Sequence, residues 1–454
     1  MSRVLIRAGK SPFQVRTPEQ FIRQDLIGTN SGNLVFSDSV FKTVSAPGVE
    51  TSSTPGLATD ASAANAARIN ASYDLFVIPL ANAFRPSWEG SLRKLTTLVE
   101  QLTIPVAVIG VGAQANADYS TRRLEPMADS VRAFMRAVLE RSASVGVRGE
   151  LTARYLAELG FGDDVVEVIG CPSMFHYGPY FPAPRPVAEF GPGTRLAVNF
   201  SEDAAGRGPV TEMVDDAHRR FPDLLYFAQN LRDAKLLFWG DTSVAAGTEA
   251  PFPRLFSHPL VREGKTRVPL DPVTWMAELR RRDFSYGTRI HGNITALLAG
   301  TPAVVLGHDS RTIELCRYFA IPHRQLPQDA GTVPRPEELY ASADYRPMLA
   351  GHGERYRRYA SFLARNRVPN TFAEGGDGGT AFEDRMSRLD FPAPLRPWQG
   401  EDDGHMAFRI GWLHQRALQY TADKPRIAAL SKENAELRER LEAVERRLAQ
   451  LGIG

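Results

Sequence analysis

Arg289 and His291 stand two residues apart, between a short apolar run and a helix-like run that begins at Ile294. The first backbone N–H groups of a helix have no intrahelical partner and attract anions. Arg289 would add a fixed fork of donors, and His291 a group that titrates near neutral pH. We predict an anion site here, with Thr288 and Asn293 also binding the ligand. Ordinary surface or capping roles are the alternative for this short motif.

A second arginine has a similar setting in the first half of the chain. The apolar run 144–147 ends at Arg148, and a helix-like segment follows. Ligands of open α/β sheets bind beyond the carboxyl ends of the strands. We therefore predict a cleft in which Arg148 contacts the anion from one lobe while Arg289 contacts it from the other. An ion pair of Arg148 with Glu150 or with a neighbouring carboxylate is the structural alternative.

Residues 106–114 predict a buried strand that runs into a turn containing glycine. Glycine permits close approach of the backbone to a ligand, so we predict that Gly112 and Gln114 contact the substrate. As a nucleotide motif the segment is weak, because it has neither the third glycine of a dinucleotide fingerprint nor the Lys-Ser/Thr pair of a P-loop.

Composition indicates a globular protein of two or three units, since the chain has 454 residues, of which 43% are hydrophobic and 23% charged. The formal charge of +2 argues against nucleic acid as a partner, so any anion site is local. The two cysteines, Cys171 and Cys316, favour a reducing compartment and give no metal-ligand spacing. We expect no metal, no transmembrane segment and a cytoplasmic protein, with transient contact with the inner membrane face as one arrangement.

Short apolar runs that alternate with helical segments predict an α/β fold with parallel strands. The run of prolines and glycines at 181–194 interrupts this pattern. We predict an N-terminal Rossmann-like lobe at 1–190, a second at 191–375, a linker or accessory segment at 376–425 and a coiled coil at 426–452.

The last segment repeats apolar residues every three and four positions. The a positions are Ile427, Asn434, Leu441 and Leu448, and the d positions are Leu430, Leu437, Val444 and Leu451. Asparagine at an a position favours a parallel two-stranded coil, and Glu433 would face Arg438 of a second copy. The segment predicts a homodimer, the alternative being one helix packed on its own chain.

The order of these motifs resembles that of the polysaccharide pyruvyl transferase family. The matching segments are 30–33, 74–78, 110–114, 144–150, 168–173, 287–291, 300–306 and 309–311. The resemblance implies two Rossmann-like lobes similar to GT-B glycosyltransferases. It also implies transfer of pyruvate from phosphoenolpyruvate to sugar hydroxyls as a ketal, without a cofactor. The acceptor would be a saccharide of the cell envelope or of an exopolysaccharide, either free or lipid-linked.

By this resemblance Arg289 and His291 bind the donor, with Arg148 assisting. His291 would deliver the proton; binding the phosphate alone and a purely structural role are its alternatives. Asp309 is either a base or, as we favour, a helix cap. Two other functions stay open, a GT-B glycosyltransferase that uses a nucleotide sugar and a non-catalytic scaffold.

The chain departs from the family pattern at four positions. The family has an acidic residue where Asn33 stands, two glycines at Leu80 and Ala81, and an aspartate at Cys171. Because these changes alter what can approach the cleft, the acceptor cannot be named from the sequence.

Overall fold

The computed structural model describes residues 1–28, 30–53, 56, 58–115, 119–201, 204, 209–242, 252–326, 334–398 and 403–450. It contains two compact units, Met1–Pro397 and Trp398–Gly454. The described strands are β1 (Ser2–Ile6), β2 (Val49–Ser52), β3 (Leu75–Pro79), β4 (Val106–Ile109), β5 (Val145–Val147), β6 (Val166–Val168), β7 (Leu196–Asn199), β8 (Leu224–Phe227), β9 (Thr266–Arg267), β10 (Phe284–Gly287), β11 (Ala303–Gly307) and β12 (His323–Gln325).

The described α-helices lie mostly between these strands. They are α1 (Pro18–Arg23), α2 (Gly32–Val44), α3 (Ala63–Ser72), α4 (Glu89–Glu100), α5 (Ala128–Leu139), α6 (Glu150–Glu158), α7 (Val210–Arg220), α8 (Leu231–Trp239), α9 (Pro259–Arg262), α10 (Pro272–Arg280), α11 (Ile290–Leu298), α12 (Ser310–Phe319), α13 (Pro336–Ala341), α14 (Arg346–Arg365), α15 (Thr380–Ser387) and α16 (Asp403–Gln450). Short 3₁₀ helices cover Pro86–Trp88, Arg122–Met127 and Pro172–Phe175.

The first unit is built on two parallel sheets, which confirms the predicted α/β class. In the first lobe the order is β2-β1-β3-β4, and β5 and β6 pair with each other beside it. A parallel bridge between Val111 and Val147 connects β5 to the end of β4. The second sheet has the order β9-β8-β7-β10-β11-β12. If the six strands of this lobe are renumbered 1 to 6 in chain order, the sheet order is 3-2-1-4-5-6, which is the Rossmann order.

The strand order reverses once in each sheet, between β1 and β3 in the first and between β7 and β10 in the second. At such a reversal the connections on either side leave in opposite directions and open a crevice beyond the carboxyl ends of the strands. Each lobe therefore offers one crevice. The segments that follow β1 and β3 form the walls of the first crevice, and the segments that follow β7 and β10 form the walls of the second.

Helix α2 fixes the two sheets relative to each other. All of its residues except Asn33 are buried. The backbone N–H of Ser31, just before the helix, donates to the carbonyl of Gln229 at 2.9 Å. The Ser31 hydroxyl donates to the carbonyl of Pro269 at 2.8 Å. A helix of the first lobe thus begins on the strand ends of the second.

The chain also returns to the first lobe after the second sheet. The amide of Asn366, at the end of α14, donates to the Ser144 hydroxyl at 2.9 Å. Its oxygen accepts from the backbone N–H groups of Ala143 and Ser144, both at 3.1 Å. The end of the predicted second lobe therefore packs on the edge of the first sheet. Local sequence patterns do not contain this long-range contact.

Residues 376–397, the first part of the predicted linker or accessory segment, pack on the rest of the first unit. Phe382 and Met386, one turn apart on α15, are buried in the core. The backbone of Leu395 exchanges two hydrogen bonds with Val268, at 2.8 and 3.0 Å. The glycines before α15 form a tight turn, in which the backbone N–H of Gly378 donates to the carbonyl of Thr371 at 2.9 Å.

The described part of the second unit is α16, a single helix that includes Pro425 and begins well before the predicted coiled coil. Along the predicted seam, Ile427, Leu430, Leu437, Leu441 and Val444 are each between 50% and 58% exposed. The side chain of Leu448 and the whole of Leu451 lie outside the described residues. None of the helices described is both long and apolar enough to span a bilayer.

Replacement of Gly287 by alanine should destabilise the protein. Gly287 has φ of +151°, and an added Cβ would lie 1.8 Å from the carbonyl oxygen of Asn199 on the neighbouring strand. Because that atom is backbone, the two strands must separate, at a cost of about 3 kcal/mol. Urea denaturation measures this change in the free energy of unfolding.

The matched control is Gly191→Ala, where an added Cβ meets nothing within 4 Å. We expect that variant to stay within about 0.5 kcal/mol of the unmodified protein. Equal stabilities for Gly287→Ala and the control would show that the contact between β7 and β10 is not as close as described.

Candidate functional site

A cleft with a volume of about 580 Å³ lies at the carboxyl ends of the strands of both sheets. Residues one or two positions after strands form much of its wall, among them Arg7, Leu80, Arg148, Ser201, Gln229 and Thr288. Both strand-order reversals therefore open into the same space. This is the two-lobed cleft that the sequence predicted.

The cleft is strongly basic although the chain is nearly neutral. Five arginines line it, Arg7, Arg85, Arg148, Arg289 and Arg311. Asp25 is the acidic residue among the described residues of the wall. Sequence reasoning selected Arg148 and Arg289 as ligands and missed the other three as a group. Such a concentration of guanidinium groups suits a ligand with several negative charges.

Arg148 is the most deeply buried of these arginines, with 3% of its surface exposed. Its backbone N–H donates to the carbonyl of Val111 at 2.8 Å, which places the side chain at the end of β5. Within the described part of the chain, its Nε and Nη2 have no hydrogen-bond partner. Burial lowers the pKa of this guanidinium. The predicted alternative, an ion pair with Glu150 or a neighbouring carboxylate, is not among the ion pairs that the described residues form, although the charge of Glu314 acts on Arg148.

Two neighbours shape the surroundings of Arg148. A Cβ on Gly112 would lie 3.2 Å from Cδ of Arg148 and 3.0 Å from the carbonyl of Ala81, so Gly112 makes room for the arginine. Glu314, from α12 of the second lobe, accepts from the backbone N–H of Thr152 at 3.1 Å. Burial raises the pKa of Glu314 to about 7, although Thr152 and Arg148 favour its charged form. Glu314 thereby connects the two lobes behind Arg148.

Arg289 precedes the first turn of α11. Its Nη2 donates to the side-chain oxygen of Asn230 at 2.9 Å. Asn293 is fully buried, and its amide donates to the carbonyls of Gly287 at 3.0 Å and Arg289 at 3.2 Å. Asn293 therefore lies behind the wall and fixes the turn, whereas Thr288 and Arg289 are on the wall itself.

The structure brings His291 into the same cleft as Arg148 and Arg289. Its Nε2 lies 3.6 Å from Sγ of Cys171. A Cβ on Gly32 would lie 2.8 Å from Cβ of His291, so only glycine lets α2 approach this closely. Burial, and secondarily Arg148, lower the pKa of His291 to about 3. The imidazole is therefore neutral near pH 7, whereas the sequence suggested a group that titrates there.

The four departures from the family pattern have identifiable surroundings. Asn33, Leu80 and Ala81 line the cleft, so they determine what enters it. Cys171 is fully buried, and burial raises the pKa of its thiol. A neutral thiol thus contacts His291 where the family has a carboxylate.

Asn82 and Gln229 are cleft residues that the sequence did not reveal. The surrounding donors assign the amide orientation of Asn82: with its oxygen turned toward them, it accepts from Nη1 of Arg85 at 3.0 Å and from Nη1 of Arg311 at 2.9 Å. Gln229 is 1% exposed, and its Nε2 has no partner among the residues that the structure describes. Gln229 directly follows a buried strand, which is the signal that could have identified it. Gln114 lies 3.1 Å from Asn82 and is not part of the wall.

Asp309 caps α12, as we favoured, because its Oδ1 accepts from the backbone N–H of Thr312 at 2.9 Å. Its other oxygen accepts from Nε of Arg311 at 2.8 Å. This pairing turns Arg311 toward the cleft. Within the described residues, no three His, Cys, Asp or Glu side chains are placed to hold a metal ion.

The fold and the cleft define an α/β protein with two parallel-sheet lobes and a basic ligand site between them. The model of the polysaccharide pyruvyl transferase family matches residues 30–310. This match covers more than half of the chain and includes Arg148, Arg289 and His291. The chain therefore belongs to the polysaccharide pyruvyl transferase family.

Three solved structures show what the chain is similar to at low identity. UDP-GlcNAc 2-epimerase from Neisseria meningitidis, bound to UDP-GlcNAc, has 9% identity and a TM-score of 0.40, over 86% of this chain and 100% of that one. The Methanocaldococcus jannaschii UDP-GlcNAc 2-epimerase has 10% identity and a TM-score of 0.40, over 80% and 99%. The S. aureus MnaA-UDP co-structure has 10% identity and a TM-score of 0.38, over 88% and 100%. No curated protein matches the chain.

Cys171→Asp should raise the pKa of His291. A carboxylate at this distance would stabilise the imidazolium and shift the pKa upward by about 1 to 3 units. Titration of the imidazole by NMR with labelled histidine measures the shift, and His291→Gln assigns the signal. Cys171→Ser, which adds no charge, is the control and should leave the midpoint unchanged. If the aspartate and serine variants titrate alike, the thiol and the imidazole are not neighbours.

Proposed function

We propose that the protein transfers pyruvate from phosphoenolpyruvate to two hydroxyls of a saccharide, forming a ketal. The observation that carries the proposal is the buried guanidinium of Arg148, with unpartnered N–H groups, in a cleft that Arg289 and His291 enter from the other lobe. Phosphoenolpyruvate has a carboxylate and a phosphate. Two arginines can bind its two ends, each with the bidentate geometry that guanidinium groups favour.

The reaction balances without a cofactor. A proton adds to the methylene carbon of phosphoenolpyruvate, and the cationic centre at the adjacent carbon is attacked by one sugar hydroxyl. Phosphate leaves with the electrons of its bond to that carbon, and the second hydroxyl closes the ring. The two sugar hydroxyls release two protons. One balances the proton added to the methylene carbon, and the other leaves with phosphate or solvent.

His291 is the proposed proton donor, and its charge depends on the ligand. Burial by the protein alone lowers its pKa to about 3. A bound phosphate or carboxylate beside the ring would favour the imidazolium and raise that pKa. Binding of the donor would thus charge the group that protonates it. A hydrogen bond from neutral His291 to the phosphate, without proton transfer, is the simpler role.

Arg289→Ala should weaken phosphoenolpyruvate binding by about 10- to 100-fold, because a charge-assisted hydrogen bond contributes about 1.5 to 3 kcal/mol. Isothermal titration calorimetry gives the Kd, and the rise in melting temperature with ligand reports binding by mass action. Arg346→Ala is the matched control, since Arg346 is exposed and not part of the cleft wall.

Absence of any binding at millimolar phosphoenolpyruvate would contradict the donor assignment. The rival function, transfer from a nucleotide sugar, predicts the opposite specificity. It requires that a nucleoside diphosphate stabilises the protein while phosphoenolpyruvate does not.

We also propose that two copies pair through residues 427–451 as a parallel coiled coil in the cytoplasm. The seam side chains are half exposed in the single chain, as the residues of an unformed coil would be. Glu433 and Arg438, at g and e, would attract across an in-register pair. Asn434 at an a position would pair with its own copy.

Leu437→Glu should convert the dimer to a monomer, because it places two carboxylates in the seam. Light scattering after size-exclusion chromatography measures the mass. Ala435→Glu adds the same charge at an outward b position and should leave the dimer intact. A dimer that persists in Leu437→Glu would rule out the coil as the dimer contact.

A further inference from the structure

We propose that the cleft has a second anion subsite, formed by Arg85 and Arg311, which binds the phosphates of a diphosphate-linked saccharide; Arg7 lines the same cleft. The inference rests on the proposed function, since that saccharide would be the acceptor. It concerns other arginines of the cleft than the two assigned to the donor.

The first support is the convergence of two guanidinium groups from different lobes. Arg85 lies in the segment after β3, and Arg311 lies in the first turn of α12. Both donate to the same oxygen, the side-chain carbonyl of Asn82, at 3.0 and 2.9 Å. Two like charges are therefore held against one neutral acceptor. Such an arrangement is unfavourable unless an anion also lies between them.

The second support is a shortage of negative charge around these groups. Arg311 pairs with Asp309 through its Nε at 2.8 Å. Arg85 also donates to two neutral oxygens, the backbone carbonyl of Asn82 at 2.8 Å and the hydroxyl of Ser87 at 3.2 Å. Burial and the nearby Arg311 lower the pKa of Arg85. Asp309 thus supplies one carboxylate for two guanidinium groups, and both of these arginines line the cleft.

The third support is the position of the cluster in the fold. Arg7 and Arg85 follow β1 and β3, the strands at the reversal point of the first sheet. Arg289 follows β10, at the reversal point of the second sheet. Each reversal therefore supplies its own cationic group, so the cleft can hold two anions at once. Its volume of about 580 Å³ is far more than a molecule with ten non-hydrogen atoms needs.

The chemistry of the wall indicates the class of ligand. Two planar guanidinium groups side by side match the oxygens of a diphosphate. The guanidinium of Arg7 lies 5.4 Å from the ring centre of Trp88, which also lines the cleft. An aromatic ring beside a phosphate site gives an apolar face on which a sugar can pack. Both nucleoside diphosphate sugars and prenyl diphosphate sugars have this chemistry.

The test measures binding of inorganic pyrophosphate to the full-length protein by isothermal titration calorimetry, with and without saturating phosphoenolpyruvate. We expect pyrophosphate to bind in both cases. Arg85→Gln should weaken its binding at least about 10-fold and change the phosphoenolpyruvate affinity less than about 3-fold. Arg289→Ala should show the opposite pattern: it should weaken phosphoenolpyruvate binding at least about 10-fold and change the pyrophosphate affinity less than about 3-fold. Arg85→Lys, which keeps the charge, should retain part of the pyrophosphate affinity, and melting temperatures verify folding.

Two results would overturn the second subsite: displacement of phosphoenolpyruvate by pyrophosphate in a one-to-one manner, or an unchanged pyrophosphate affinity in Arg85→Gln. If only the donor assignment is wrong, phosphoenolpyruvate will not bind, while pyrophosphate binding will still depend on Arg85. A uridine diphosphate sugar and a short-chain prenyl diphosphate sugar then compete against pyrophosphate, to separate the two sources. If neither sugar diphosphate displaces pyrophosphate, the proposal that the acceptor is a diphosphate-linked saccharide is wrong.

Discussion

The guanidinium of Arg148 is 3% exposed, and its Nε and Nη2 have no hydrogen-bond partner in the described part of the chain. A buried charge without partners costs several kcal/mol, which the rest of the fold must offset. Gly112 makes the space for this side chain, and Glu314 supplies a nearby carboxylate from the other lobe. An anionic ligand would complete the missing hydrogen bonds. The site is thus arranged for a ligand at the expense of stability.

The fold makes this arrangement possible by joining two sheets at their carboxyl ends. Helix α2 begins against the second lobe and is buried along almost its whole length. This helix therefore contacts both lobes and fixes one against the other. Gly32 at its start lets the helix lie against His291. Since that contact and the neighbouring Arg148 keep the imidazole neutral, the charge state of the site follows from the packing of α2 and not from the histidine alone.

Much of this could be predicted from sequence because it depends on local periodicity. Apolar runs alternating with helices indicated parallel strands, and Arg148 and Arg289 were found because each follows such a run. The cluster of Arg85 and Arg311 could not be found in that way. Those residues are far apart in sequence and meet through the strand order, which depends on long-range packing. For the same reason the burial of Asn293 behind the wall was not evident.

The charge state of His291 was also beyond sequence reasoning. Its reference pKa near ~6.5 suggested a titrating group, whereas burial beside Arg148 lowers that pKa to about 3. Which neighbour contacts the ring, Cys171 in this chain, became visible only in three dimensions. The family match, in contrast, rests on residues 30–310 as a whole.

A crystal structure of the protein with phosphoenolpyruvate tests the central claim most directly. We predict that oxygens of the ligand lie about 3 Å from Nε and Nη2 of Arg148, with Arg289 and His291 in contact from the second lobe. An ordered ligand outside the cleft, or one in the cleft that leaves both nitrogens of Arg148 without a contact, would contradict the account.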